Sequence, residues 1–101
     1  MIMHNPPHPG EFIYDVYMEP YGFSARYVAM KLQVSPSTFS RLLKKESSVT
    51  PEMSLRLSKV FGRSPESWLA LQDQYDLSRA KSRVDLEEVQ HIDFSDQLTT
   101  A

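Results

Sequence analysis

The sequence predicts an all-α domain, and three observations carry that prediction. Hydroxyl-proline pairs recur at Ser35-Pro36, Thr50-Pro51 and Ser64-Pro65. Apolar residues repeat at intervals of three and four. Alternation with a period of two is almost absent, the exception being Val84-Asp85-Leu86, which reads as a short strand. Each pair has the form of a helix start. The hydroxyl accepts a bond from an otherwise unpaired N–H, and proline at the first helical position gives up a donor that had no partner there. Proline also drives the residue before it out of the α region, which suits a cap.

The elements come in order along the chain. Pro9 precedes Glu11-Phe12-Ile13, and a helix from there places Phe12, Ile13, Val16 and Tyr17 on one face. Ser24 caps a second helix with Val28, Ala29 and Leu32 inward, and Ser35 a third with Phe39, Leu42 and Leu43. Thr50 opens a fourth with Met53, Leu57, Val60 and Phe61 on its apolar face. Ser64 opens a fifth carrying Trp68, Leu71, Gln72 and Tyr75, with Leu69 beside them. The prolines are 15 and then 14 residues apart, so these helices are short. Gly10, Gly22 and Gly62 fall at element boundaries. Trp68 is expected in the core.

At 101 residues, 41% of them apolar, the chain has room for one domain with a modest core. The expected division is a helical domain over residues 1–83 and an acidic tail over 84–101. Cysteine is absent, which removes disulfides and thiolate chemistry and fits a reducing compartment. With neither a signal-peptide pattern nor a long apolar run, the expected location is the cytoplasm, with no membrane contact. The net charge of −2 hides a sorting of charge along the chain. Residues 1–23 carry −3, residues 24–63 carry +6, and residues 84–101 carry −5 from Asp85, Glu87, Glu88, Asp93 and Asp96. A basic centre with an acidic end implies a polyanionic partner for one and a basic partner for the other.

Only Gln33-Val34 joins the second and third helices, so they cross steeply, which is helix-turn-helix geometry. Ala29 supplies the small residue where they approach. The outer face of the third helix then carries hydroxyls and cations. Ser35, Ser37, Thr38, Ser40 and Arg41 are the candidate base readers, because arginine can bond two guanine acceptors and short hydroxyls let a helix enter the major groove. Arg26, Tyr27, Lys31, Lys44, Lys45, Ser47, Ser48 and Thr50 are the candidate phosphate contacts around it. The same pattern is compatible with a merely solvated helix pair. What favours double-stranded DNA is that turn length, small crossing residue and positive charge coincide.

The run from Ser24 to Lys44 resembles the helix-turn-helix of the Xre/Cro repressor superfamily. Its flanks are similar to the HigA or VapI-like antitoxins: Pro7-His8-Pro9-Gly10-Glu11, Thr50-Pro51-Glu52-Met53, and Phe61-Gly62-Arg63-Ser64-Pro65-Glu66-Ser67-Trp68-Leu69-Ala70-Leu71-Gln72. The resemblance covers residues 6 to about 80 and implies a five-helix, lambda-repressor-like domain with a short C-terminal extension. It further implies a homodimer that represses its own operon and neutralises a HigB-type toxin, a basic mRNA-cleaving nuclease of the RelE superfamily. Gln33 stands where a turn glycine is usual, and Ser54 where alanine is usual. A residue at the Gln33 position must avoid or tolerate a left-handed backbone.

No constellation for catalysis stands out, since neither a Gly-x-Ser-x-Gly elbow nor a Gly-rich phosphate loop is present. His4 and His8 could ligate a metal, but His91 is distant and no thiol completes a set, so neither metal nor cofactor is expected. Two rivals stay open: an Xre-type repressor without a toxin, and a protein-binding inhibitor that no longer engages DNA. The tail has Leu86, Val89 and Ile92 three apart, a spacing that fits folding on a basic partner or a simple solvated end. Ser95 to Ala101 is expected to fray.

Overall fold

The computed structural model describes residues 5–95. The expectations for His4, for Asp96 and for fraying beyond Ser95 lie outside these residues. Five α-helices are present among them: α1 (Pro9–Ile13), α2 (Ala25–Leu32), α3 (Pro36–Leu43), α4 (Pro51–Phe61) and α5 (Pro65–Arg83). Ser24, Ser35, Thr50 and Ser64 each accept the N–H of the residue three positions on, so all four hydroxyl caps form. Each satisfies one donor that the first helical turn leaves unpaired.

The first helix departs from the regular period. After Ile13 the chain widens into a π-helical turn (Tyr14–Met18), with Glu19 N–H bonded to Tyr14 O, and then tightens into a 3-10 turn (Glu19–Tyr21). The extra residue in the wide turn shifts the phase of every side chain after it. Val16, placed inward by a regular period, is 41% exposed, and Met18 is buried in its stead. No strand forms among the described residues. Val84 has an extended backbone, as the alternation of Val84-Asp85-Leu86 requires, but no neighbouring strand lies beside it to complete a ladder.

Ile13, Met18, Val28, Ala29, Leu32, Phe39, Leu42, Val49, Leu57, Trp68 and Leu71 form one buried cluster. Trp68 is wholly buried, and its ring lies about 6 Å from those of Phe12, Tyr17 and Phe61. Its indole N–H donates to Gly62 O at 3.0 Å, tying the end of α4 to α5. Gly62 itself has φ 90° and ψ −161°, a conformation essentially closed to other residues. Ser54, in α4, is buried with its hydroxyl donating to Pro51 O at 2.6 Å, so the polar atom that replaces the usual alanine methyl is satisfied locally.

Candidate nucleic-acid interface

The α2–α3 unit owes its shape to how both helices end. At the end of α2, Gln33 is left-handed (φ 61°); its N–H bonds to Met30 O, while Val34 N–H reaches back to Ala29 O. At the end of α3, Lys45 is left-handed (φ 65°), its N–H bonds to Leu42 O, and Glu46 N–H reaches Arg41 O. Both are Schellman stops, built without the usual glycine. Each accepts a left-handed backbone costing a side-chain-bearing residue about 1–2 kcal/mol. At the first stop Arg56 of α4 offsets that cost, because its guanidinium donates to Leu32 O at 2.8 Å and Gln33 O at 3.2 Å. Glu52, one turn earlier, holds Arg56 from the other side at 3.6 Å.

Phe39 and Leu42 anchor α3 from within, and the opposite face looks out. Ser37, Arg41 and Lys44 are exposed, with Thr38 and Ser40 half-buried between them. The Ser35 hydroxyl accepts Thr38 N–H at 3.1 Å and donates to the Thr38 hydroxyl at 2.8 Å, so it is engaged as a cap. Arg41 reaches Thr38 Oγ1 at 3.5 Å and forms no ion pair among the described residues, which leaves its fork available. Thr38, Arg41, Ser47, Ser48 and Thr50 share a groove of about 260 Å³ between α3 and the start of α4. Glu52 and Arg56 line it too.

The other predicted phosphate contacts are distributed more widely. Arg26 is exposed near the start of α2. Tyr27 and Lys31 line a separate groove, with Lys31 Nζ 5.4 Å from the Tyr27 ring centre. Lys45 is 3.8 Å from Glu11, and Thr50 is occupied in capping Met53 N–H.

Two residues that frame this surface were not read as doing so from sequence. His8 is buried, its Nδ1 accepting Gly10 N–H at 2.9 Å and its Nε2–H donating to Ser47 O at 3.0 Å. It therefore caps α1 while holding the loop after α3, a structural role in place of metal ligation. Burial lowers its pKa below the ordinary 6.5, outweighing the bond to Ser47. Gln72 of α5 accepts Val49 N–H at 2.8 Å and donates to Asp76 at 3.1 Å, fixing the other side of that loop. The only sequence trace of this clamp was a polar residue on the apolar face of the fifth helix.

The pattern of the Helix-turn-helix family matches residues 17–68, which span α2, α3 and α4 together with the turns between them. The chain belongs to that family, in its Xre-type branch. Family members of this type are DNA-binding transcription regulators. An uncharacterised HTH-type transcriptional regulator of Escherichia coli, YddM, is 38% identical over 91% of this chain and 97% of its own length. Virulence-associated protein I of Dichelobacter nodosus is 39% identical over 73% of this chain and 68% of its own. Among solved structures, the antitoxin GraA superposes with a TM-score of 0.82 at 34% identity, covering 89% of this chain and all of its own. A HigA-family addiction module antidote protein from Coxiella burnetii gives 0.79 at 34% identity, with the same coverage. PA4674 of Pseudomonas aeruginosa, solved in complex with its operator DNA, gives 0.81 at 27% identity over 89% of this chain and all of its own. No helix among the described residues is long and apolar enough to cross a membrane.

Proposed function

We propose that this chain is the antitoxin of a type II toxin-antitoxin pair. A homodimer binds the operator of its own operon, and the same protein neutralises a HigB/RelE-like mRNA-cleaving toxin in the cytoplasm. The observation that carries the DNA half is α3. Phe39 and Leu42 hold it against the core while Ser37, Arg41 and Lys44 face out beside a groove shared with Ser47 and Ser48. In a dimer two such helices sit about 34 Å apart and enter successive major grooves. Arg41, Ser37, Thr38 and Ser40, with Ser35 at the cap, read bases. Arg26, Tyr27, Lys31, Lys44, Lys45, Ser47, Ser48 and Thr50 contact phosphates. Residues 1–83 form the DNA-binding unit and 84–101 an acidic tail. The likeness to GraA and to the Coxiella antidote protein supports the toxin half.

The test is a gel shift on the duplex upstream of the gene, in a salt series, with co-purification of the product of any neighbouring short, basic reading frame. Each phosphate contact contributes about 0.9 to the slope of log affinity against log salt, so Lys44→Ala lowers it by about one. Arg41→Ala relaxes preference at one base position, costing about 1–3 kcal/mol. Unchanged operator binding in both variants refutes α3 as the reader. A neighbouring product that neither co-purifies nor is inhibited refutes the antitoxin reading and leaves a repressor.

A further inference from the structure

The loop between α3 and α4 is not held by the helix-turn-helix that it serves. Lys45 and Glu46 close the end of α3 and Thr50 caps α4, but among the described residues no acceptor meets the backbone N–H of Ser47 or Ser48. Two side chains from outside fasten it. His8 donates to Ser47 O at 3.0 Å, and Gln72 Oε1 accepts Val49 N–H at 2.8 Å across 23 residues of sequence. Exposed Ser48 lies between these two points, with N–H and hydroxyl both free of protein partners among the described residues.

The fastening by Gln72 is oriented and enclosed. Its side chain and that of Val49 are both buried. Val49 N–H is a donor, so only the oxygen end of the amide can face it, and Asp76 Oδ1 accepts the nitrogen end at 3.1 Å, which fixes the amide that way round. Without this acceptor the buried N–H has no partner unless the loop moves out to water, and such a donor is costly to leave unpaired. Ser48 is the next residue back and moves with it. Gln72 itself belongs to α5, beyond residue 68 where the family pattern ends.

We infer that Gln72 is a positioning residue for operator binding: it touches no DNA, and through Val49 N–H it holds the amides and hydroxyls of Ser47 and Ser48 where they meet a phosphate. This rests on the DNA half of the proposed function and deepens it. Donors fixed in advance lose less freedom on binding. Both serines are neutral and, unlike Lys44, displace no counterions, so their contact adds affinity for any sequence without adding to the salt slope.

The test compares the native chain with three variants by gel shift, on the operator and on an unrelated duplex, across a salt series below every melting temperature. Gln72→Met keeps length and apolar bulk but is a far weaker acceptor. Gln72→Glu with Asp76→Asn returns an acceptor to Val49 and a donor to support it. Trp68→Phe weakens the seating of α5 without touching the loop. The expected result is that Gln72→Met binds both duplexes about tenfold more weakly, with the native salt slope and the native ratio of operator to unrelated affinity. The paired variant should recover most of that loss, Trp68→Phe should bind as the native chain does, and hydrogen exchange at Val49 should rise in Gln72→Met alone. Native affinity in Gln72→Met, an altered slope or ratio, no recovery in the paired variant, or an equal loss in Trp68→Phe each overturns the inference and leaves the DNA reading standing. A native chain that binds neither duplex overturns both.

Discussion

Gly10→Ala should unfold this protein more readily, although alanine is ordinarily the better helix former. Gly10 sits in the first turn of α1, buried against the last turn of α3. A methyl group there overlaps the Leu42 carbonyl oxygen outright and falls 2.8 Å from its carbon and 2.9 Å from Leu43 Cα. Carbon atoms pack best at about 3.5–4.0 Å, so α1 must retreat by well over half an ångström from neighbours that are all backbone. Overpacking of this kind costs about 1–3 kcal/mol, and rigid neighbours place it at the upper end. The helix preference of alanine returns at most about 1 kcal/mol. The net loss is about 2 kcal/mol, a fall in Tm of roughly 8–16 °C for a domain of this size. Thermal melts followed by circular dichroism, with urea titration, measure it. Gly22→Ala is the control: nothing lies within 4 Å, and its cost comes only from φ +70°, about 1–2 kcal/mol. If Gly10→Ala melts at or above the native temperature, the close approach of α1 to α3 is wrong. Operator affinity should fall with stability, since α1 backs the outward-facing helix.

The left-handed residue of the turn and the α4 arginine that supports it should respond in opposite senses. Gln33→Gly relieves the left-handed residue and, after the added entropy of the unfolded chain, stabilises by about 0.5–1 kcal/mol in urea titrations. Arg56→Ala removes both donors to Leu32 and Gln33 and should destabilise by about 1.5–3 kcal/mol, with weaker operator binding. Trp68→Phe keeps an aromatic ring but leaves Gly62 O without its partner, a loss of about 1–3 kcal/mol in the same titrations. His8 sets an acid dependence. Its folded pKa lies below 6.5, so between the two values the unfolded chain binds more protons. Its stabilising contribution is therefore complete above about pH 6.5 and is lost as pH falls through the lower, folded value. His8→Asn keeps a capping oxygen, and its urea midpoint should lose this step; a midpoint with the same acid profile would refute the assignment.

How much of the interface was legible depends on whether the signal was local. The caps at Ser24, Ser35, Thr50 and Ser64 were readable because hydroxyl and donor N–H lie three residues apart. The exposure of Ser37, Arg41 and Lys44 came from the helical period around Phe39 and Leu42. The first helix misled because a π turn leaves the composition untouched while altering the phase of the side chains, so Val16 faces out although a regular period places it inward, and Met18, which the period did not single out, is buried. Val84-Asp85-Leu86 misled because a strand needs a partner elsewhere, which alternation alone does not provide.

By itself the amino-acid order determined the all-α class, the helix starts, the helix-turn-helix and the separation of a basic centre from an acidic end. These depend on spacings of three or four residues and on charge, both written directly into the chain. Tertiary structure alone decided that Arg56 supports the turn from 23 residues away, that His8 and Gln72 clamp the loop carrying Ser47 and Ser48, and that Gly10 admits no side chain. It also drew Thr38, Arg41 and Thr50 into one groove while sending Tyr27 and Lys31 to another. The physical reason is that such contacts join segments far apart in sequence, so they exist only once the helices have packed.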